Sequence, residues 1–208
     1  MSISTYTTLK QAVFDFSGRD DLSSKFASIL QVAEDYIYNN DTQPLRTTEL
    51  ITTSTVTTVA GTNSLALPAG FMSGLSVLIN IGGGKKELTN TSPAALRQNG
   101  ESGYPCKYAI TSGLIFDYTP DGAYDIDLTY YAKPEPLDTV NNTNDILTNY
   151  PTIYLFGCLS AIADMTGEMN DADMYYQKMI RAILGAMRSN RKKRHAPGAT
   201  STIRGATP

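Results

Sequence analysis

Few residues in this chain have the types and spacings that do chemistry. The single histidine, His195, stands in a basic run close to the end of the 208 residues. A general base or a Ser-His-Asp arrangement has to use it, and such a segment does not supply the fixed geometry catalysis needs. Asp125 and Asp127 are two apart, so on a strand both project from one face. Paired carboxylates can bind a metal or share a proton. Here, though, Tyr124, Ile126, Leu128 and Tyr130 alternate with Asp125, Asp127 and Thr129, which predicts one buried and one solvated face. Gly82-Gly83-Gly84-Lys85-Lys86 lacks the spacing of a phosphate loop and the helix that must follow one, so it reads as a hairpin turn with two exposed lysines. Gly100-Glu101-Ser102-Gly103 offers a loop serine and nothing to activate it. Cys106 and Cys158 have no Cys or His at metal-binding spacing and read as reduced packing residues. Met165, Met169, Met174, Met179 and Met187 read as filling for a core or an interface. These readings predict no enzymatic activity, no cofactor and no metal.

The charge is more informative. Residues 1–173 hold all 20 acids and 9 of the 17 basic residues, a net of −11, while 174–208 hold 8 basic residues and no acid. An acidic body thus carries a basic end, Arg191-Lys192-Lys193-Arg194. That run suits a solvated helix end, the phosphates of a nucleic acid, or an acidic groove on a protein partner. No aromatic residue interleaves 188–208, which leaves simple electrostatics and not base stacking. No apolar run approaches the roughly 18 residues of a membrane span, and the first residues lack the pattern of a signal peptide.

The elements around these residues follow from periodicity. Tyr6, Leu9, Val13 and Phe16 predict a helix over 5–16, capped by Ser4 or Thr5 and stopped by Gly18. A second, over 20–39, carries Leu22, Phe26, Ile29, Leu30, Ala33 and Ile37 on one stripe. From Glu49 the chain turns Thr- and Val-rich, and strands are predicted at 49–59, 65–68, 75–81, 85–88, 107–111, 114–118 and 124–131, with one helical turn at 93–98. Polar, Asn-rich 138–145 reads as a loop. Pro151 opens a helix to 166 that is apolar on nearly every face, hence buried against its own chain or a neighbour. The last helix, 171–190, carries Tyr176, Met179, Ile180, Ile183, Leu184 and Met187 on a stripe, with Arg181 and Arg188 off it. The fold class is therefore α+β: a helical bundle formed by the N- and C-terminal helices, with an inserted antiparallel β domain built as a small sandwich or meander. The expected divisions are 1–44 (N-terminal helices), 45–136 (β insertion), 137–190 (C-terminal helices) and 191–208 (basic flexible tail).

One ordered set of residues runs through the second half. It comprises Gly103-Tyr104-Pro105 with Tyr108, Gly113-Leu114-Ile115-Phe116, the Pro120-Asp121-Gly122 turn, and Tyr130-Tyr131-Ala132. It continues through Leu137, Leu147, Pro151, Tyr154-Leu155-Phe156-Gly157 with Leu159, and Tyr175 or Tyr176. In this order the chain resembles the head-to-tail connector proteins of short-tailed phages, the SU10-type adaptor family, well over 90–190 and more loosely over 1–45. The resemblance implies a structural virion protein at the head-tail interface, assembled in the host cytoplasm. It implies self-association, usually as twelve copies, into a ring beneath the portal protein that meets a tail or nozzle protein and extends the channel for double-stranded DNA. No membrane is involved. On this reading Arg188, Arg191, Lys192, Lys193, Arg194 and Arg204 contact the portal or DNA, and Tyr154, Phe156, Leu159, Tyr176, Met179 and Ile183 form the oligomer or bundle interface. Deleting 189–208 is expected to spare the folded domain but to weaken portal attachment. The competing readings are a nucleic-acid-binding module acting through the basic tail, and a tail-associated carbohydrate or cell-wall enzyme.

Overall fold

The computed structural model describes residues 2–40, 42–96 and 101–194. It divides into two compact units, one from both chain ends (Met1–Glu49 and Glu135–Pro208), the other from Leu50–Pro134. The fold is mixed helix and strand, with mainly antiparallel sheets.

In the first unit, α1 (Tyr6–Ser17) starts at Thr5, whose hydroxyl accepts the Thr8 N–H while the Thr8 hydroxyl accepts the Thr5 N–H. This reciprocal cap satisfies two donors that a helix start otherwise leaves without partners. A 3-10 turn over Asp20–Lys25 precedes α2 (Phe26–Tyr38), so the expected single helix from 20 is two pieces. A short α3 (Asp145–Asn149) follows the Asn-rich loop; the Asn144 side chain caps it by accepting the Leu147 N–H at 2.8 Å. Then come α4 (Pro151–Thr166) and α5 (Met169–Arg194). Pro151 stands at the start of α4, where its missing N–H costs nothing. Gly167 closes α4 with φ of 78°, a left-handed conformation that suits glycine.

Helix α4 is the centre of this unit, packed against α1, α2, α3 and α5. Its low amphipathicity has a plain cause: ten of its residues, from Ile153 to Ala163, are buried, on every face. At Gly157 the neighbouring helices leave little room. A Cβ placed there would lie 3.3 Å from both Ala33 Cβ on α2 and Met179 Sδ on α5. Polar groups at the contacts of α4 are paired, as burial demands. The Tyr38 and Tyr154 hydroxyls are 2.9 Å apart, Asn144 donates to Tyr154 at 2.8 Å, and Ser160 donates to the Ala172 carbonyl at 3.0 Å.

Among the described residues the second unit has eight strands: β1 (Ile51–Thr57), β2 (Ser64–Ala66), β3 (Phe71–Ile81), β4 (Gly84–Glu87), β5 (Thr89–Asn90), β6 (Lys107–Ile110), β7 (Gly113–Phe116) and β8 (Asp125–Ala132). They form two four-stranded sheets, ordered β1-β8-β3-β4 and β2-β7-β6-β5. Neighbours are antiparallel except the short β5–β6 pair. Both sheets feed one core, with Val77, Ile79, Ile126 and Leu128 from the first and Tyr108, Leu114 and Phe116 from the second. The strand order is not a meander: β1 pairs along its whole length with β8, from Ile51 opposite Tyr131 to Thr57 opposite Asp125. The helical turn expected at 93–98 appears as a turn over 93–95, and its end falls outside the described residues.

One expectation about β8 is overturned. Asp127 is not on a wet face; it is 7% exposed. The reason is that β8 lies between β1 and β3, so both neighbours shade its outer face. Thr55 donates to Asp127 at 2.6 Å and the Lys85 ammonium lies 2.6 Å from its carboxylate. The Lys85 ammonium, then the Thr55 hydroxyl, hold this carboxyl below its ordinary value. Thr53 with Thr129 at 3.0 Å and Thr57 with Asp125 at 2.7 Å extend the same row of cross-strand pairs.

Candidate functional site

The basic end is built on α5, whose 26 residues make a rod about 39 Å long at 1.5 Å per residue. The helix continues through Arg194, so Arg191–Arg194 has a helical backbone and is not the start of a tail. Arg188 and Arg191 are exposed on it. The side chains of Lys192, Lys193 and Arg194, and all of His195 and Arg204, lie outside the described residues.

What holds this end of α5 in place is a cluster of polar side chains around Asn190, which is 3% exposed. The Asn190 carbonyl oxygen accepts from the Thr48 hydroxyl and from the Thr48 N–H at 3.3 Å. Its amide donates to Glu49 at 2.8 Å and to the Tyr150 hydroxyl at 3.1 Å, while Tyr150 donates to the other Glu49 oxygen at 3.2 Å. Burial pushes the Glu49 carboxyl up, but the hydrogen bonds from its own backbone, Asn190, Thr47 and Tyr150 outweigh it and the net shift is downward. Burial, then the Glu49 charge, push the Tyr150 phenol up. Sequence reading missed this cluster. An asparagine between Ser189 and Arg191 has the look of a solvated helix end, and no local pattern marks it as buried.

The six residues named for an oligomer or bundle interface separate into two sets. Tyr154, Leu159, Met179 and Ile183 are buried within their own chain. Phe156 and Tyr176 are half-buried. Tyr176 meets Tyr36 edge-on at 5.9 Å, and Lys178 lies over Phe156 at 5.8 Å and over Tyr175 at 5.0 Å. Tyr36 in turn donates to Asp164 at 2.7 Å; burial, then that carboxylate, push its phenol up to about 12.

Large apolar side chains are exposed elsewhere on the unit, where α1 ends and α4 turns into α5. Phe16 is 68% and Met169 67% exposed, and Met165 and Met174 are exposed with them. Beside them is an open groove of about 100 Å³ lined by Phe16, Arg19, Leu159, Ile162, Glu168, Asp171 and Tyr175, among others. Among the described residues there is no group of three or more side chains able to hold a metal ion, and no helix long and apolar enough to cross a membrane.

The unit thus presents a basic helix end fixed by part-buried hydrogen bonds and an exposed apolar corner with acids on its rim. A search of curated proteins finds no match to the chain. A family model described as SU10 adaptor protein matches residues 4–202, nearly the whole length, so the chain belongs to the SU10 adaptor family.

Proposed function

We propose that this adaptor is a structural subunit of the virion, without catalytic activity, placed where the head meets the tail. About twelve copies close into a ring through heterologous contacts, two different faces per subunit. The ring joins the portal protein to a tail or nozzle protein and extends the channel for double-stranded DNA. The helices act as a bundle that carries the ring contacts, and the β unit is the part turned to other components. The observation that supports this most is the family match over residues 4–202.

The basic end of α5 is the portal-binding arm: Arg188 and Arg191 on the helix, with Lys192, Lys193, Arg194 and Arg204 following. Purified chain mixed with purified portal is expected to give rings visible in particle images and a matching mass. Changing Arg191, Lys192, Lys193 and Arg194 together to Ser is expected to weaken attachment at least tenfold, because each lost charge removes a desolvated or steered pairing. Unchanged attachment overturns the arm's role. Deletion of 189–208 is the wrong test, since it removes Asn190 along with the charges and leaves Thr48, Glu49 and Tyr150 short of a partner. The nucleic-acid reading rests on the same acid-free, basic end. It predicts DNA binding by the chain alone that falls steeply with salt and disappears in the four-residue variant.

A further inference from the structure

The groove between the end of α1 and the α4–α5 turn has a size and a lining that select its occupant. At about 100 Å³ it takes one side chain, and an open concavity of about 420 Å³ over Gly167–Asp171 adjoins it at Glu168 and Asp171. Phe16 and Tyr175 bring aromatic rings to it, Leu159 and Ile162 its apolar surface, and Glu168 and Asp171 its carboxylates. Arg19 also lines it, but that guanidinium is paired with Asp21 at 2.9 Å, so the two carboxylates remain in excess. An apolar stem ending in a planar cation matches all three features: the stem covers apolar surface, the plane stacks on a ring, and the fork meets carboxylates. That side chain is arginine. The Tyr175 ring already holds the Lys178 ammonium 5.0 Å from its centre, so the exposed Phe16 ring is the one left for an incoming plane.

The chain itself offers such a group on a different part of α5. Arg181 is exposed, and among the described residues no carboxylate forms an ion pair with it. One turn further on is Gly185, also exposed, where a Cβ would meet nothing within 4 Å. Glycine is a poor choice inside a helix, and nothing in its own chain needs the space. Beside Arg181 it leaves bare backbone against which a second molecule can lie closely. We propose that the groove and Arg181 are the two halves of a head-to-tail contact between copies of this chain, with Arg181 of one copy seated in the acid-rimmed groove of the next. This deepens the ring reading and rests on it. It assigns the two unlike faces that a heterologous contact requires. Arg181 and Gly185 share a face of α5 with Arg188, so this contact adjoins the start of the portal-binding arm.

The test is a charge swap on the full chain, with self-association measured by sedimentation at low salt, alone and on purified portal, and thermal melting run beside it. Arg181→Glu is expected to weaken association on the order of tenfold or more, since it sets like charges together. Glu168→Arg with Asp171→Arg is expected to do the same, and the three changes combined to restore it. Gly185→Phe, an exposed change, is expected to block the approach without lowering the melting temperature. Rings that form equally well with Arg181→Glu and with Gly185→Phe overturn this contact and leave the ring reading standing. A wild-type chain that stays monomeric both alone and on portal overturns both. Two separate losses that the combined variant does not restore overturn the pairing. Loss of portal attachment from the groove variant alone, with association of copies intact, assigns the groove to the portal instead.

Discussion

Asn190 is a polar residue in a basic helix end whose carbonyl oxygen and amide both have partners: Thr48, Glu49 and Tyr150. Replacing it by Ala leaves the Glu49 carboxylate and the Tyr150 hydroxyl short of a partner. The expected cost is about 1–3 kcal/mol, the range for losing hydrogen bonds of which one goes to a charged group, read as a lower midpoint in urea unfolding. Ser189→Ala, an exposed change beside it, is expected to cost far less. Asp127 and Glu49 give a second prediction at this scale. Both carboxyls have a lower pKa folded than unfolded. Their stabilising effect is therefore complete above the ordinary carboxylate range, near pH 4, and fades as pH falls through their folded values. Melting temperature followed from neutral to acid pH is expected to fall along that limb. Asp127→Asn is expected to make the fall shallower and to lower the plateau above it. An unchanged slope would show that the Lys85 pair has no part in acid stability.

Among the elements, α4 is the one that sets the packing of the helical unit. Its Gly157 faces Ala33 and Met179 at the distance where even a methyl is tight. Gly157→Leu is expected to force α2 and α5 apart, at a cost of about 1–3 kcal/mol or more for overpacking, seen in the melting temperature and as earlier exchange of core amides. Much of this helix was legible beforehand. Pro151 and Gly167 mark its ends by their own backbone preferences, and an apolar residue on every face can only mean burial. The same holds for α1, whose Thr5 and Gly18 are termini by chemistry. The 3-10 turn before α2 was not legible, because the acids at Asp20 and Asp21 suit a helix start of either kind. Five-residue α3 is too short to show a period. Strand positions could be read from β-branched runs and turns, but not their partners, because alternation names a face and not a neighbour. For that reason the β1–β8 pairing was missed, and with it the burial of Asp127. At the surface the basic end was plain from charge alone. The groove was not, since Phe16, Leu159, Glu168 and Tyr175 come together only through the packing of α1, α4 and α5.

For the whole molecule, the separation of a net −11 in residues 1–173 from +8 in 174–208 gives the proposed ring assembly an electrostatic, salt-dependent part. Ring formation on portal is expected to weaken as salt rises through the physiological range, with melting temperature changing little; salt-independent assembly would assign the contacts to apolar surface alone. The pairing of β1 with β8 has a further consequence. Ile51 opposite Tyr131 brings the two strands through which the chain enters and leaves the β unit to within one ladder spacing, about 5 Å. Once that unit has folded, the helical part is joined across it as if by a short loop, and the entropy of closing the intervening chain is already spent. Such a segment is interchangeable. Replacing it by a few glycines is expected to leave helices that fold alone, and its loops can lengthen, shorten or be exchanged without disturbing the helical core. A lineage could in this way exchange the β unit while keeping the helical core.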